Sequence, residues 1–361
     1  MSDGSARTDP EADKSARAVA DEVEQNLASR TVGDAILLVI SFAIILAGAL
    51  LFTNAVEWLG HRLAIGVGAV GSLLAAVGTA MPESIIPIVA IIRGGSGSNE
   101  VAIGAIVGAP FLLATLAMFL VGVFALAYSS RRTQGRELRV HVPTLDRDLA
   151  VFVVFFAIAL ALGLGSPRWL QIVAAGMFVV AYFVYVWRTL RRGGDVQVKE
   201  TLDPLVMDRS RSEDPPLRLI VLQLAVALGA IIGGAHLFVE ELISVAESLG
   251  VEVLVLSLVL APLATELPEK ANSFFWIREG KDSLALGNIT GAMVFQSMLP
   301  VAFGLGFTNW DLDGFAVLSM ALALAGGILA YWVLRLKGQF TLPAIVAWGL
   351  LYGVFVFVVV L

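Results

Sequence analysis

Long apolar runs recur along this chain of 361 residues, and they limit its possible folds more than any other feature. A helix that spans a bilayer needs about 17 to 25 predominantly apolar residues. Hydrophobic residues make up 58% of the chain and charged residues 15%, whereas a soluble domain is about 45 to 50% apolar. The sequence therefore predicts ten membrane spans, near 34–58, 63–91, 101–128, 148–165, 169–188, 217–240, 251–277, 284–308, 314–334 and 342–361.

The Lys and Arg residues lie mainly in alternate loops, and this pattern predicts an orientation. With the N-terminus outside, the outer loops between the spans carry only Arg93 and Arg168, while the inner segments carry all the other loop bases. This asymmetry follows the positive-inside rule, so both termini are predicted outside the cell membrane. The predicted divisions are a polar, mobile N-terminal tail over 1–33 with at most a short helix near 18–27, a first repeat of five spans over 34–188, a cytoplasmic linker over 189–216 and a second repeat of five spans over 217–361.

The two halves resemble each other in sequence. Adding 186 to a first-half number carries Thr79 to Thr265 and Glu83 to Glu269. A three-residue shift then aligns two Gly-x-x-x-Gly pairs, 104/108 and 287/291, whose small faces predict close helix packing. Because each half has an odd number of predicted spans, the repeats are predicted to be inverted, with a binding site near the midplane where they meet.

Glu83 and Glu269 each end a Thr-x-x-Pro-Glu motif near the middle of an apolar span. An ionisable residue there costs about 2.5 to 3.5 kcal/mol on insertion scales, so it indicates a functional site. The proline before each glutamate lacks an N–H, and the helices are predicted to break at these points. Carbonyls freed around Thr79 and Thr265 would join the carboxylates in an oxygen-rich site suited to Ca²⁺, or to Na⁺ or protons on the same groups.

Two polar side chains of the eighth span are further candidates. Gln296 follows the second Gly-x-x-x-Gly pair by five residues and is predicted to be an oxygen ligand. Asn288 lies within that pair, and two roles are open to it: tuning the site or bonding between helices.

The motifs resemble the alpha-1 and alpha-2 repeats of the cation/calcium exchanger superfamily, which includes the sodium/calcium exchangers. The segments that carry the resemblance are Gly78-Thr-Ala-Met-Pro-Glu83 and Ala264-Thr-Glu-Leu-Pro-Glu269, with the two Gly-x-x-x-Gly pairs after them. The resemblance implies an all-α integral membrane fold of ten helices in two inverted five-helix repeats, with broken helices at the ion site. It also implies that Glu83 and Glu269 bind the exchanged cation, assisted by Thr79 and Thr265.

The second half departs from the family pattern by adding charge. Glu266 replaces the family's serine, Gln296 stands where the family has Asn or Asp, and Lys270 follows the motif glutamate directly. Glu266 is a further candidate ion ligand, and Glu266 and Lys270 also have the spacing of an intrahelical ion pair. Lys270 either only holds the helix in this way or supplies a tethered ammonium in the place of a transported Na⁺.

The leading functional prediction is a secondary-active antiporter that exchanges Na⁺ for Ca²⁺ by alternating access at a two-glutamate site. Ca²⁺/H⁺ or Na⁺/H⁺ exchange is the alternative, and a relic that kept the fold without transport is a third interpretation. No enzymatic motif or ATP-binding loop is found, so neither enzyme activity nor a cofactor is expected. The expected partners are the lipid bilayer and inorganic cations rather than nucleic acid, and a monomer is compatible with the sequence.

Overall fold

A computed structural model describes residues 10–62, 81–132, 135, 137–138, 140–192, 202–212, 214–312 and 314–360. Side chains are described throughout these ranges except at 10–30, 81–82, 190, 192, 267–272 and 360. Within the described residues the fold is all-α and contains ten helices, and one isolated bridge joins Leu138 to Phe340. Each of these helices overlaps one of the predicted spans.

The first half contributes five of these helices and the second half the other five. A five-residue π-helical segment, Leu113–Ala117, interrupts α3 three residues after Pro110, which lacks the N–H that an α-helical bond would use. The helices are α1 (Pro10–Arg62), α2 (Met81–Arg93), α3 (Ser98–Ala127), α4 (Val142–Gly163), α5 (Arg168–Arg192), α6 (Leu217–Leu249), α7 (Val253–Arg278), α8 (Asp282–Phe307), α9 (Gly314–Lys337) and α10 (Leu342–Val360).

Apolar faces on these helices build two main hydrophobic cores. One core lies between α1 and α6, which pack along each other, and it also takes in α2, α3 and α7. The larger core lies around α3, α4, α8, α9 and α10. The third helix of each half packs on the fourth and fifth helices of the other half. Helix α3 contacts α9 and α10, and helix α8 contacts α4 and α5. The two halves therefore interlock.

Seven of the described helices are long and apolar enough to cross a membrane: α1 (over Thr31–Arg62), α3, α5, α6, α8, α9 and α10. Large hydrophobic side chains on their outer faces are exposed, as lipid-facing positions require; examples are Val39 on α1, Val180 on α5 and Leu350 on α10. The chain is thus an all-α protein with the composition and surface of a multi-pass membrane protein.

The N-terminal boundary differs from the prediction. Helix α1 begins at Pro10 and continues without interruption to Arg62, so residue 34 is not a helix start and the polar segment before it is more than a tail with a short helix. The prediction failed because it used hydrophobicity to place the boundary, whereas Ala and the charged residues Glu, Lys and Arg also favour a helix.

In the part described after helix α5, residues 202–212 and 214–216, the predicted linker is bound to helices α1 and α6. Gln223 of α6 is fully buried; its amide N–H groups donate to the Leu51 carbonyl and to Asn54 Oδ1, both at 2.9 Å, and its Oε1 accepts the Met207 N–H at 2.9 Å. The indole of Trp58 donates to the Asp203 carbonyl at 2.9 Å. Residues 202–208 are therefore bound to α1 and α6 by side chains of these two helices.

Hydrogen bonds within the linker also order the turn that follows. The Ser210 hydroxyl donates to Asp208 Oδ1 at 2.6 Å, and the Ser210 and Ser212 N–H groups donate to the same carboxylate at 3.0 and 3.1 Å. These bonds, that of the Ser210 side chain foremost, lower the pKa of Asp208 below its usual value.

Candidate functional site

Helix α7, which carries the second Thr-x-x-Pro-Glu motif, is not broken at the proline. It runs from Val253 to Arg278 through Pro268, and the predicted break at this point was wrong. A proline removes one backbone bond and crowds the preceding turn, but neighbouring helices in a membrane protein can hold such a helix together. Because Pro268 has no N–H, the Ala264 carbonyl lacks the donor that it would otherwise have four residues later.

In the first half, Glu83 is a buried residue of α2, and this helix contacts both α7 and α8. The described helix begins at Met81, so the proline of this motif lies in its first turn. Ser84, the next residue, lines an apolar cavity of about 400 Å³ between α2, α5 and α8. The first motif glutamate is therefore inside the protein, on the helix that adjoins both motif helices of the second half.

In the second half, Glu266 and Gln296 meet between α7 and α8. Only 1% of Glu266 and 2% of Gln296 is exposed, and Gln296 Nε2 donates a hydrogen bond to Glu266 Oε1. The Nε2 group of Gln296 is engaged in this bond. The other atom of the amide, Oε1, is buried, and no donor among the described residues lies within hydrogen-bond distance of it. This pair brings a carboxylate and a neutral amide oxygen into the same dry region.

Of the other predicted site residues, the structure describes the side chains of Thr265 and Asn288. The Thr265 hydroxyl is buried and bonds back to its own helix, at 3.3 Å from the Ala261 carbonyl and 3.4 Å from that of Pro262. Asn288 Nδ2 lies 3.4 Å from Ser273 Oγ, so Asn288 bonds between helices α8 and α7. Thr79 lies outside the described residues, as do the side chains of Glu269 and Lys270 and hence the predicted Glu266–Lys270 ion pair.

The glycine pair of α3 allows the closest helix crossing at the boundary between the halves. A Cβ on Gly104 would lie 2.6 Å from Ser257 Cβ of α7, and one on Gly108 would collide with the Leu258 carbonyl. Ser257 Oγ donates to the Val101 carbonyl of α3 at 2.9 Å. The predicted packing role of this pair is confirmed, and α3 thereby fixes the first half of α7. The same prediction for the second pair was wrong, because no described atom lies within 4 Å of a Cβ added at Gly287 or Gly291.

A buried polar cluster between α4, α5 and α8 was missed at the sequence level. Asp148 of α4 accepts hydrogen bonds from Tyr185 at 2.7 Å, from Arg147 at 2.9 Å and from Thr290 of α8 at 3.2 Å. Asp148 is the first residue of a predicted span, directly after the polar loop. Its place at the start of an uncharged run was the signal that could have identified it.

Both ends of α8 are held by arginines from the first half. Arg132 and Asp282 form a fully buried ion pair at the N-terminus, with Nη2 2.7 Å from a carboxylate oxygen. At the C-terminus, Arg168 donates to the carbonyls of Leu305 at 2.7 Å and Thr308 at 2.6 Å, and also to that of Gly306. An acid at the start of a helix and a base at its end both suit the helix dipole.

The third helices of the two halves thus have different chemistry. Along α3, the segment Ala109–Leu113 is buried and wholly apolar, with Leu113 at the position that corresponds to Gln296. Along α8, five polar residues are bonded to other helices or loops: Asp282, Ser283, Asn288, Thr290 and Gln296. The polar side chains of the described site come mainly from the second half.

Comparison with known proteins places this arrangement in a family. The family described as sodium/calcium exchanger protein matches residues 34–191 and 219–361. The inner membrane protein YrbG of Escherichia coli (strain K12) is 23% identical over 257 residues, which cover 68% of this chain and 71% of YrbG.

Two solved structures share the fold at low sequence identity. That of the H⁺/Ca²⁺ exchanger CAX aligns with a TM-score of 0.70 and 17% identity, over 90% of this chain and 82% of the exchanger. That of the sodium-calcium exchanger NCX_Mj aligns with a TM-score of 0.55 and 17% identity, over 90% of this chain and 98% of the exchanger. Because the family match extends over both halves, the chain belongs to the sodium/calcium exchanger protein family and is a multi-pass membrane protein of the cation-antiporter type.

Proposed function

We propose that the chain is a secondary-active antiporter that exchanges Na⁺ for Ca²⁺ by alternating access at a site that includes Glu83 and Glu269. In this proposal the ten helices form two inverted repeats of five, and both termini lie outside the cell membrane. The α1–α6 pair moves against the rest, because each of these two helices packs more extensively on the other than on any other described helix. The proposal involves no enzymatic reaction and no cofactor; Ca²⁺ and Na⁺ are the transported substrates.

The observation that carries the proposal is the Glu266–Gln296 pair beside the second motif. A buried neutral oxygen with no donor costs free energy unless a cation or a donor satisfies it. Gln296 Oε1 is in that condition within the described structure, next to a buried carboxylate and one helix away from α2. Ca²⁺ takes about 6 to 8 oxygen ligands, and carboxylates with amide, hydroxyl and backbone oxygens are the donors that this region offers.

A second candidate, exchange of Ca²⁺ for protons, is favoured by the apolar face of α3. Leu113 and the residues before it supply no side-chain oxygen, so the first half offers few ligands for Na⁺. Glu266 adds a carboxylate that could carry a proton instead. In this alternative, protons bind to the same carboxylates that release Ca²⁺.

Flux into proteoliposomes separates the two candidates. We expect ⁴⁵Ca²⁺ uptake into vesicles loaded with Na⁺, little uptake when a pH gradient replaces the Na⁺ gradient, and none without a gradient. Uptake driven by the pH gradient and not by the Na⁺ gradient would show that the chain exchanges Ca²⁺ for protons. Because outer-shell partners alone change metal affinity by about 10- to 100-fold, Glu83→Gln and Glu269→Gln should each lower Ca²⁺ affinity at least about tenfold.

Glu100→Gln is the matched control, because Glu100 is an exposed acid in the first turn of α3. It should leave Ca²⁺ uptake unchanged. Isothermal titration of purified protein with Ca²⁺ tests the relic interpretation: absence of binding by the unmodified protein, together with absence of flux under both the Na⁺ and the pH gradient, would establish a fold without transport. Equal binding by the Glu83→Gln variant would place the site elsewhere.

For Lys270 we propose that the ammonium stands in for one transported Na⁺. Lys270→Ala is then expected to change ion selectivity and the charge moved per cycle, measured as current in proteoliposomes adsorbed on a solid support. Unchanged selectivity and charge would assign Lys270 only to holding the helix.

A further inference from the structure

An acidic cavity of about 690 Å³ opens where the end of α6 faces α1 and the turn between α2 and α3. It lies apart from the Glu266–Gln296 region, on the side of the membrane predicted to be outside. Helix α6 is 33 residues long, or about 50 Å at 1.5 Å per residue, so its end extends beyond a hydrocarbon core of about 30 Å. The ionisable groups that line the cavity are Asp34, Arg93, Glu240, Glu241 and Glu247.

Glu241 distinguishes this cavity from an ordinary cluster of surface acids. Only 8% of the residue is exposed, it lines the cavity, and none of the described residues donates a hydrogen bond or forms an ion pair with it. Asp34 accepts a bond from Ser244 at 2.5 Å. Arg93, the one base in the lining, points a guanidinium nitrogen to Ser98 Oγ at 3.5 Å rather than to a carboxylate.

The cavity wall is well defined. Three glycines of the α2–α3 turn, Gly94, Gly95 and Gly97, have φ values of +62°, +85° and +77°, which favour glycine. Gly97 packs against Ile243 of α6, where an added Cβ would lie 3.1 Å from Cγ1. The turn is thus held against α6, and Ser96, at its tip, faces the carboxylates across the cavity.

We propose that this cavity is an antechamber that binds a hydrated divalent cation before it enters the transport site. Four carboxylates against one guanidinium leave an excess of negative charge, and low-dielectric walls focus such a field and concentrate counter-ions. No three acidic or histidine side chains of the described chain are close enough to hold a dehydrated metal ion. The ion therefore keeps its water, is held by the field and by Glu241, and exchanges rapidly. The step from antechamber to transport rests on the proposed function; the binding does not.

A spin label tests the binding directly, and the chain contains no cysteine that would compete for the label. Ser96→Cys places a nitroxide at the cavity in purified full-length protein. Mn²⁺ is then titrated, and dipolar broadening of the nitroxide spectrum is recorded. We expect saturable broadening that Ca²⁺ and raised ionic strength both reverse. Glu241→Gln on this background should raise the Mn²⁺ concentration for half-maximal broadening at least about threefold, because the field is shared with the remaining acids.

Glu252→Gln is the control, because Glu252 is exposed just beyond the end of α6 and does not line the cavity. It should leave the titration unchanged. Equal broadening in the Glu241→Gln protein, or an equal loss in the Glu252→Gln protein, would overturn the antechamber.

A flux measurement distinguishes failure of the antechamber from failure of the proposed function. Glu241→Gln should raise the Ca²⁺ concentration needed for half-maximal uptake and leave the maximal rate unchanged. Saturable broadening without any flux would refute transport and leave the binding site standing. Flux with unchanged half-saturation in Glu241→Gln would refute the antechamber and leave transport standing.

Discussion

At the scale of single residues, the contact between Glu266 and Gln296 gives the sharpest prediction. Gln296→Leu copies the residue that α3 has at the corresponding position and removes one hydrogen bond from a buried carboxylate. Loss of such a bond costs about 1 to 3 kcal/mol. We expect a lower melting temperature in detergent and a smaller increase in melting temperature on adding Ca²⁺.

Ser297→Ala is the matched control for this change, since Ser297 is buried next to Gln296 and its hydroxyl bonds, among the residues that the structure describes, only to the Val294 carbonyl of its own helix. Its effect should be small, and its Ca²⁺ response should equal that of the unmodified protein. An unaltered Ca²⁺ response in Gln296→Leu would remove Gln296 from the ion site.

The sequence predicted residue identities better than residue partners. It selected Glu83, Glu266 and Gln296, and all three are buried in the structure. It did not predict that Gln296 bonds to Glu266, because that contact depends on how two helices are rotated about their axes, which no spacing along one chain specifies. Asp148 was missed for a related reason: its burial comes from Tyr185 and Thr290, which are far away in sequence.

At the scale of helices, the α3–α7 crossing predicts a strong effect of one methyl group. In Gly108→Ala the new Cβ meets a backbone carbonyl of α7, which cannot turn aside as a side chain can. Overpacking of this kind costs about 1 to 3 kcal/mol. We expect a corresponding loss of stability in urea or thermal unfolding and reduced transport.

The control for the crossing is Gly229→Ala in α6, where no described atom lies within 4 Å of an added Cβ. It should be neutral or slightly stabilising, because alanine favours a helix more than glycine does. Equal destabilisation by the two changes would mean that the crossing is not tight.

The buried ion pair at the start of α8 gives a second prediction for this scale. Asp282→Asn leaves the Arg132 guanidinium buried without its carboxylate, which typically costs about 3 to 5 kcal/mol. The double change Arg132→Met with Asp282→Leu should recover most of this loss, because it removes both charges.

Asp146→Asn provides the comparison, since it breaks the ion pair with Arg335, whose side chain is 52% exposed. An exposed pair contributes about 0 to 1 kcal/mol. Thermal unfolding in the same detergent measures all of these variants, and equal losses for Asp282→Asn and Asp146→Asn would contradict the buried character of the first pair.

The approximate positions of the described helices could be predicted from the sequence, whereas their continuity could not. Every predicted span has a described helix, because the length of an apolar run and the thickness of a bilayer determine where helices form. The predicted break at Pro268 and the predicted end of the N-terminal tail were both wrong. At Pro268, packing against neighbouring helices outweighs the local effect of the proline. In the N-terminal segment, the helix preference of Ala and of charged residues outweighs their low hydrophobicity.

At the scale of the whole molecule, the docked linker predicts unusual protection from solvent. Residues 202–208 contain no helix, yet Val206 N–H bonds to Asn54 Oδ1 at 3.1 Å and Met207 N–H bonds to Gln223 Oε1. We expect slow hydrogen exchange at these two amides. Gln223→Leu should speed exchange at Met207, measured by mass spectrometry of peptides that cover the linker.

Ser210→Ala is the control for the linker, because Ser210 bonds to Asp208 within the turn and to neither helix. Exchange at Met207 should be unaffected by it. Fast exchange at Met207 in the unmodified protein would show that the linker is not bound to α1 and α6.

The two arginines that hold α8 have a mechanical consequence. A rod that is held at both ends bends and tilts less under a given force than a rod that is held at one end only. Arg132 and Arg168 impose such boundary conditions on α8, and Gln296 lies near its middle. We therefore expect Gln296 to move least, so that a change in distance across the site would arise from displacement of the opposing helices.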